Sequence, residues 1–160
     1  MTHAFRLAGR MDRLPAERAL APRLNGPLDD TAPIVSDEDL ARRINVNLLI
    51  MGADDAVARF VTSLWPHFLT PRVVRRRGER LRLGPTLRPV GTILVHDVQT
   101  LTHREQHALY RWLSVGNGRT RIVSTTTQSL VPLLATGAFN NDLYYRLNVL
   151  TLDLTSPVAH

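Results

Sequence analysis

From Val46 onward, apolar and polar positions switch repeatedly between the strand and helix periods. Val46–Met51 (VNLLIM) is a near-continuous apolar run closed by Gly52, the pattern of a strand buried on both faces. Val57, Phe60, Val61 and Leu64 then recur at helical spacing until Pro66 stops the helix, and Asp54 or Asp55 stands where its N-cap is expected. Thr92–Asp97 (TILVHD), Arg121–Thr125 (RIVST) and Val149–Leu154 (VLTLDL) read as further strands, and Arg72–Arg77 as an edge strand. Thr102 and Glu105 form a capping box before a helix reaching about Val115, with Ala108, Leu109, Trp112 and Leu113 on its buried face. Gly116–Gly118 is a turn, and two short helices are expected near Leu130–Ala135 and Asn141–Leu147. Ser36 is a candidate N-cap for a helix to Arg43, with Asp37, Glu38 and Asp39 in its first turn. Strands alternating with helices predict a mainly parallel sheet covered on both faces, a three-layer α/β/α sandwich.

The first 35 residues lack this order. Pro15, Pro22, Pro27 and Pro33 interrupt them, and apart from a short helix over Pro15–Leu24 they are expected to be a poorly ordered tail. The expected domain is therefore 36–156, within a chain of 160 residues. No apolar run is long enough to span a bilayer, and no signal-peptide core is present. The chain has no cysteine, which excludes disulfides, thiolate metal sites and a thiol nucleophile. A cytoplasmic location is the expectation.

Charge changes the picture in two ways. All 20 basic residues are arginine, so lysine chemistry of any kind, a phosphate-loop lysine included, is excluded. The net charge of +6 is also uneven. Residues 1–40 carry a net −2, whereas residues 72–90 hold seven Arg against one Glu. Arg72, Arg75, Arg76, Arg77, Arg80 and Arg82 form a candidate basic patch for phosphate, nucleic acid or an acidic protein, or the guard of an exposed sheet edge. The patch has no aromatic residue for stacking on single strands.

Gly91–Leu154 carries the most specific signal. GTILVHDVQTLTHREQHALYRWL and RIVSTTTQSLVPLLATGAFNNDLYYRLNVLTLDL resemble the AAA+ ATPase domain of sigma-54-dependent bacterial transcription activators. That family reads roughly GTLFLDEIGEL…Q..LLR.L and then RIIAATN.DL….G.FR.DLYYRLNV. The string Asp142-Leu-Tyr-Tyr-Arg-Leu-Asn-Val149 is its sharpest match, and NLLIMG followed by Val57–Arg59 resembles its first strand and helix more weakly. The resemblance implies a P-loop NTPase (AAA+)-like fold, bound ATP and Mg²⁺, and a role in transcription.

The positions that would carry this chemistry differ. Where the family has ESGTGKEL after the first glycine, this chain has only Ala53, Asp54, Asp55 and Ala56 after Gly52. The family's Asp-Glu pair falls on His96 and Asp97, its sensing Asn on Thr127, and the first of its two inter-subunit arginines on Asn140. The second survives as Arg146, expected here in an intramolecular ion pair. Residues 60–90 are all that separate Val57–Arg59 from GTILV, with no GAFTGA string among them. The family's helical lid and a downstream helix-turn-helix fall outside residues 1–160, so a reduced form without the lid is expected.

These substitutions predict a degenerate, non-catalytic binding module, with no catalytic residue, no metal site and no cofactor. Its expected partner is a protein: an AAA+ relative, a receiver domain or the transcription machinery. An apolar face left bare by the missing parts would also favour self-association. Two other readings stand beside it. One is an unconventional ATP-binding regulator using Asp97, Arg146 and Arg75–Arg77. The other is an Arg-rich nucleic-acid-binding module. A His96/Asp97 proton-transfer or metal pair lacks a third ligand, and His103 and His107, at i,i+4, are expected to face solvent.

Overall fold

The structure is a computed structural model and describes residues 35–83, 91–115 and 120–155. The expected N-terminal tail up to residue 34, the Gly84–Pro89 punctuation and the Gly116–Gly118 turn lie outside the described residues. The elements are α1 (Asp37–Arg43), β1 (Leu48–Met51), α2 (Asp54–Leu64), β2 (Arg72–Arg75), β3 (Gly91–Val95), α3 (His103–Val115), β4 (Thr120–Thr126), α4 (Val131–Ala135), α5 (Asn141–Leu147) and β5 (Leu150–Asp153). Short 3₁₀ turns follow α2 and β3. The five strands form one parallel sheet in the order β2-β3-β4-β1-β5.

Strand alternation divides the core into two layers. Leu48, Ile50, Leu94, Val123 and Leu152 face α1, α2 and Phe68. Leu49, Ile93, Val95 and Ile122 face α3, α4 and α5 with Phe139, Leu143 and Leu147. The three-layer α/β architecture expected from the pattern is therefore present. β1 lies between β4 and β5, and β4 is the middle strand.

Local signals explain most element ends. The Ser36 hydroxyl accepts from the Asp39 N–H at 3.1 Å, and Arg42 closes α1 with carboxylates one turn back. The Thr102–Glu105 box forms reciprocally, at 2.9 and 3.3 Å. β1 starts two residues later than expected because the polar groups before it are otherwise engaged. Asn47 Oδ1 accepts the Ile122 N–H at 2.8 Å, its Nδ2 donates to the Arg146 carbonyl at 2.8 Å, and the Val46 carbonyl accepts from Arg121.

Two expectations need correction. The cap of α2 is Ala53, without a side-chain bond, and Asp54 and Asp55 are the first helical residues. Neither carboxylate caps because each is held by an arginine instead. On α3, Ala108 is exposed and Gln106 is buried in its place, because the polar side chain finds three partners inside.

Candidate functional site

All parallel strands end on one edge of the sheet, so the residues following them converge in a crevice at their carboxyl ends. Gly52 follows β1, Arg77 follows β2, His96 and Asp97 follow β3, and Thr125–Thr127 lie at the end of β4. Asp54, Arg77, His96, Asp97 and Thr125–Thr127 line one cavity of about 280 Å³. Gly52 is not among the lining residues; its backbone passes close to the residue after β5, where an added Cβ would stand 2.9 Å from that of Leu154.

Asp97 is the fixed point. Its side chain is 7% exposed, and its backbone is left-handed (φ 51°), a conformation Asp tolerates better than most residues. The Thr125 hydroxyl accepts its N–H at 3.2 Å. Arg77 grips the carboxylate through two bonds, Nε to Oδ2 at 2.5 Å and Nη2 to Oδ1 at 3.0 Å. The same guanidinium donates to Asp54 Oδ1 at 2.8 Å. One cation thus ties the start of α2 to the end of β3. Gln99 closes the rim, with Nε2 donating to Asp97 Oδ1 at 3.3 Å and to the Thr127 hydroxyl at 3.2 Å.

Charge follows this geometry. The Arg77 bonds hold the Asp97 carboxyl below the ordinary carboxylate range against the opposing effect of burial, and the two carboxylates raise Arg77 further above its ordinary value. Burial lowers His96 and the arginines at 75–77 push the same way, together outweighing the Asp97 carboxylate, which raises it. Arg59 holds Asp55 low in an exposed i,i+4 pair at 2.8 Å, pointing away from the cavity.

A pH prediction follows. The folded pKa of Asp97 lies below its unfolded value of 3.8, so this pair stabilises the fold above that pH and loses the contribution as pH falls through the lowered value. Urea midpoints of the wild type and Arg77→Met should differ by a constant amount at neutral pH and converge below about pH 4. A gap unchanged down to about pH 2 would contradict the pairing.

The remaining candidates disperse. The basic patch is not one surface. Arg75 is buried, donating to the carbonyls of Glu79 (2.8 Å) and His96 (2.6 Å) and to the Thr100 hydroxyl (3.2 Å). Arg72 lies over the Trp65 ring at 5.0 Å and donates to the Phe68 carbonyl. Arg76, Arg80 and Arg82 are exposed. Asn140 lies outside the cavity as the N-cap of α5, accepting the Leu143 N–H at 2.7 Å. Arg146 forms no ion pair among the described residues, contrary to expectation. It lies over the Tyr110 ring at 5.5 Å because α3 presents an aromatic face, not a carboxylate, at that point. His103 and His107 are exposed, and among the described residues no group of three His, Asp or Glu side chains is placed to hold a metal. No helix among the described residues is long and apolar enough to cross a membrane.

Sequence reasoning missed the site's organiser. Arg77 appeared as one arginine of a cluster, and nothing in the spacing of positions 54, 77 and 97 marks them as neighbours. Gln99 and Thr125 were likewise unmarked.

Comparison with known proteins agrees with this architecture. A stretch of 75 residues is 37% identical to the HTH-type transcriptional regulatory protein TyrR of Salmonella typhimurium, covering 40% of this chain and 15% of TyrR. Another, of 70 residues, is 40% identical to the phenol regulator MopR of Acinetobacter guillouiae, covering 37% of this chain and 12% of MopR. The chain thus spans a small part of the length of these relatives. In structure, 75% of it superposes on 35% of NtrX from Brucella abortus in complex with ATP (TM-score 0.55, 23% identity). A further 72% match covers 92% of the P-loop NTPase domain of a sigma-54 transport activator from E. coli (TM-score 0.53, 17% identity). Both likenesses establish the fold. Residues 39–156 match the model of the Sigma-54 interaction domain, and the chain belongs to that family.

Proposed function

We propose that this chain is a non-catalytic interaction module of bacterial transcription regulation, keeping the sigma-54 interaction fold and engaging the transcription machinery or a related regulator in the cytoplasm. The observation that carries this reading is Arg77. Its guanidinium stands between the first turn of α2 and Asp97, the place where a nucleotide's phosphates and Mg²⁺ need room and a free acid. The residues present do not fit that group. The segment Gly52–Ala56 is too short to wrap phosphates with successive N–H groups, and Asp54 puts a carboxylate where they would lie. His96 is a poor partner for an oxygen-seeking cation. Asn140 caps a helix and Arg146 packs on Tyr110, so neither is left addressing a nucleotide of a neighbouring subunit.

Calorimetric titration with ATP and Mg²⁺ tests this directly, with NtrX, whose structure holds ATP, as the positive control. No heat of binding is expected up to about 1 mM nucleotide, and the same is expected of Arg77→Met, which still lacks a phosphate loop. Micromolar affinity in the wild type would overturn the proposal. It would favour the unconventional ATP-binding regulator, with Asp97, Arg146 and Arg75–Arg77 as the first residues to change.

A further inference from the structure

β2 ends the sheet. Its ladder runs only to β3, where the Pro71 carbonyl accepts from Thr92 and the Arg75 carbonyl accepts from His96. In a parallel strand both main-chain groups of a residue point to the same side, and sides alternate. The N–H and C=O of Arg72 and Val74 therefore point outward, and neither residue has a main-chain bond on that side among the described residues. The next outward N–H, that of Arg76, is taken by a carboxylate: Glu79 Oε2 accepts it at 3.1 Å. An acid is thus already seated against this edge.

A hollow lies on each face of the edge, mainly apolar on one side and mixed on the other. On the α2 side, Ala58, Val61, Trp65, Val74 and Leu94 line a hollow of about 530 Å³, rimmed by Arg76. On the opposite side, Val73, Val74 and Leu81 line one of about 440 Å³ together with Arg75, Glu79, Arg80 and Arg82. An added strand drops successive side chains to alternate faces, so it would fill both hollows at once. The exposed arginines around it have Glu79 as their single carboxylate partner among the described residues, at 3.9 Å from Arg76.

We propose that this edge receives an extended acidic segment of a partner protein as a sixth strand. Main-chain bonds to Arg72 and Val74 supply affinity, and the two hollows take apolar side chains at the segment's centre. Flanking Asp or Glu residues pair with Arg76, Arg80 and Arg82. Edge charges usually discourage pairing, but charges of one sign discriminate: they reject a basic strand or a second copy of this same edge and accept an acidic strand. The inference is separable from the nucleotide question: the α2-side hollow shares Ala58 and His96 with the cavity, but none of Asp54, Arg77 and Asp97 lines either hollow.

The test uses the full chain and a fluorescent peptide, EEVLVVEE, followed by anisotropy. EEVLVVEE should bind and weaken as salt is raised, whereas KKVLVVKK and the donor-poor EEVPVPEE should not bind. Charge reversal of two exposed positions, Arg76→Glu with Arg80→Glu, should weaken EEVLVVEE at least about tenfold and leave the circular dichroism spectrum unchanged. Absence of binding, or binding indifferent to the proline peptide and to the charge reversal, overturns the proposal. Displacement of the peptide by duplex DNA would assign the surface to nucleic acid instead. Concentration-dependent dimerisation lost in the charge-reversed variant would assign it to a second copy.

Discussion

Arg121→Ala is expected to destabilise the domain by about 3–5 kcal/mol, a large share of the 5–15 kcal/mol typical of a whole domain. Arg121 opens the buried part of β4 and is 2% exposed. Among the described residues it has no carboxylate partner. Its Nη2 donates to the Ala41 carbonyl at 2.6 Å, its Nε donates to the Val46 carbonyl at 3.0 Å, and its guanidinium lies 6.0 Å from the Phe68 ring centre. Ala41 is in the last turn of α1, where the helix presents its negative end, so the cation joins that helix to the sheet.

Two effects oppose each other there. Burial disfavours the charged form and lowers the arginine's pKa, so the guanidinium carries a desolvation cost. Removing it leaves two carbonyls without donors, one of them on a fully buried residue, and a cavity where the side chain lay. The second effect wins, because the Ala41 carbonyl cannot reach water unless α1 leaves the sheet. Arg121→Met, which refills the volume, should recover part of the loss, and Arg121→Lys little, since one ammonium cannot span both carbonyls. Urea unfolding of the three variants decides the matter. Arg121→Ala within about 1 kcal/mol of the wild type would refute the fastening role.

What could be read beforehand divides along a physical line. Strand and helix identity came through wherever period and caps agree: VNLLIM, TILVHD and RIVST each carry a strand, and Ser36 and Thr102–Glu105 each start a helix. These signals are local, so neighbouring residues suffice to specify them. The contacts that define the site are not local. Arg77 reaches Asp54 and Asp97 only because β1, β2 and β3 end on the same edge of the sheet, with β4 between β1 and β3, and no spacing along the chain records that. Buried Arg75, Arg121 and Gln106 were obscured for a related reason. Polar residues in an amphipathic pattern read as solvent-facing unless their interior partners are known, and those partners lie on other elements. The expected ion pair of Arg146 failed in the same way: a charge predicts a partner but not whether that partner is a carboxylate or an aromatic face.

Gln106→Leu is the second substitution expected to cost heavily, about 2–4 kcal/mol, although it preserves volume and removes no charge. Gln106 is 1% exposed on α3. Its Nε2 donates to the carbonyls of Leu101 (2.9 Å) and Ala138 (3.0 Å), and its Oε1 accepts the Asn140 N–H at 2.8 Å. One amide thereby joins the loop before α3 to the loop before α5, and it orients the residue that caps α5. Asn140→Ala removes only the bond to the Leu143 N–H and should cost about 1 kcal/mol. The two should not be additive, because each depends on the same loop, and a double-mutant cycle should return a coupling of about 0.5 kcal/mol or more. If Gln106→Leu proves milder than Asn140→Ala, the loop is not held by this amide. The comparison also bears on why the Asp142–Val149 string persists. Leu143 and Leu147 are fully buried against α3, and Asn148 Nδ2 donates to the Tyr144 hydroxyl at 2.7 Å. Packing and capping therefore account for these positions without any nucleotide chemistry. A severe stability loss at Gln106 would show that the string's surroundings serve the fold first.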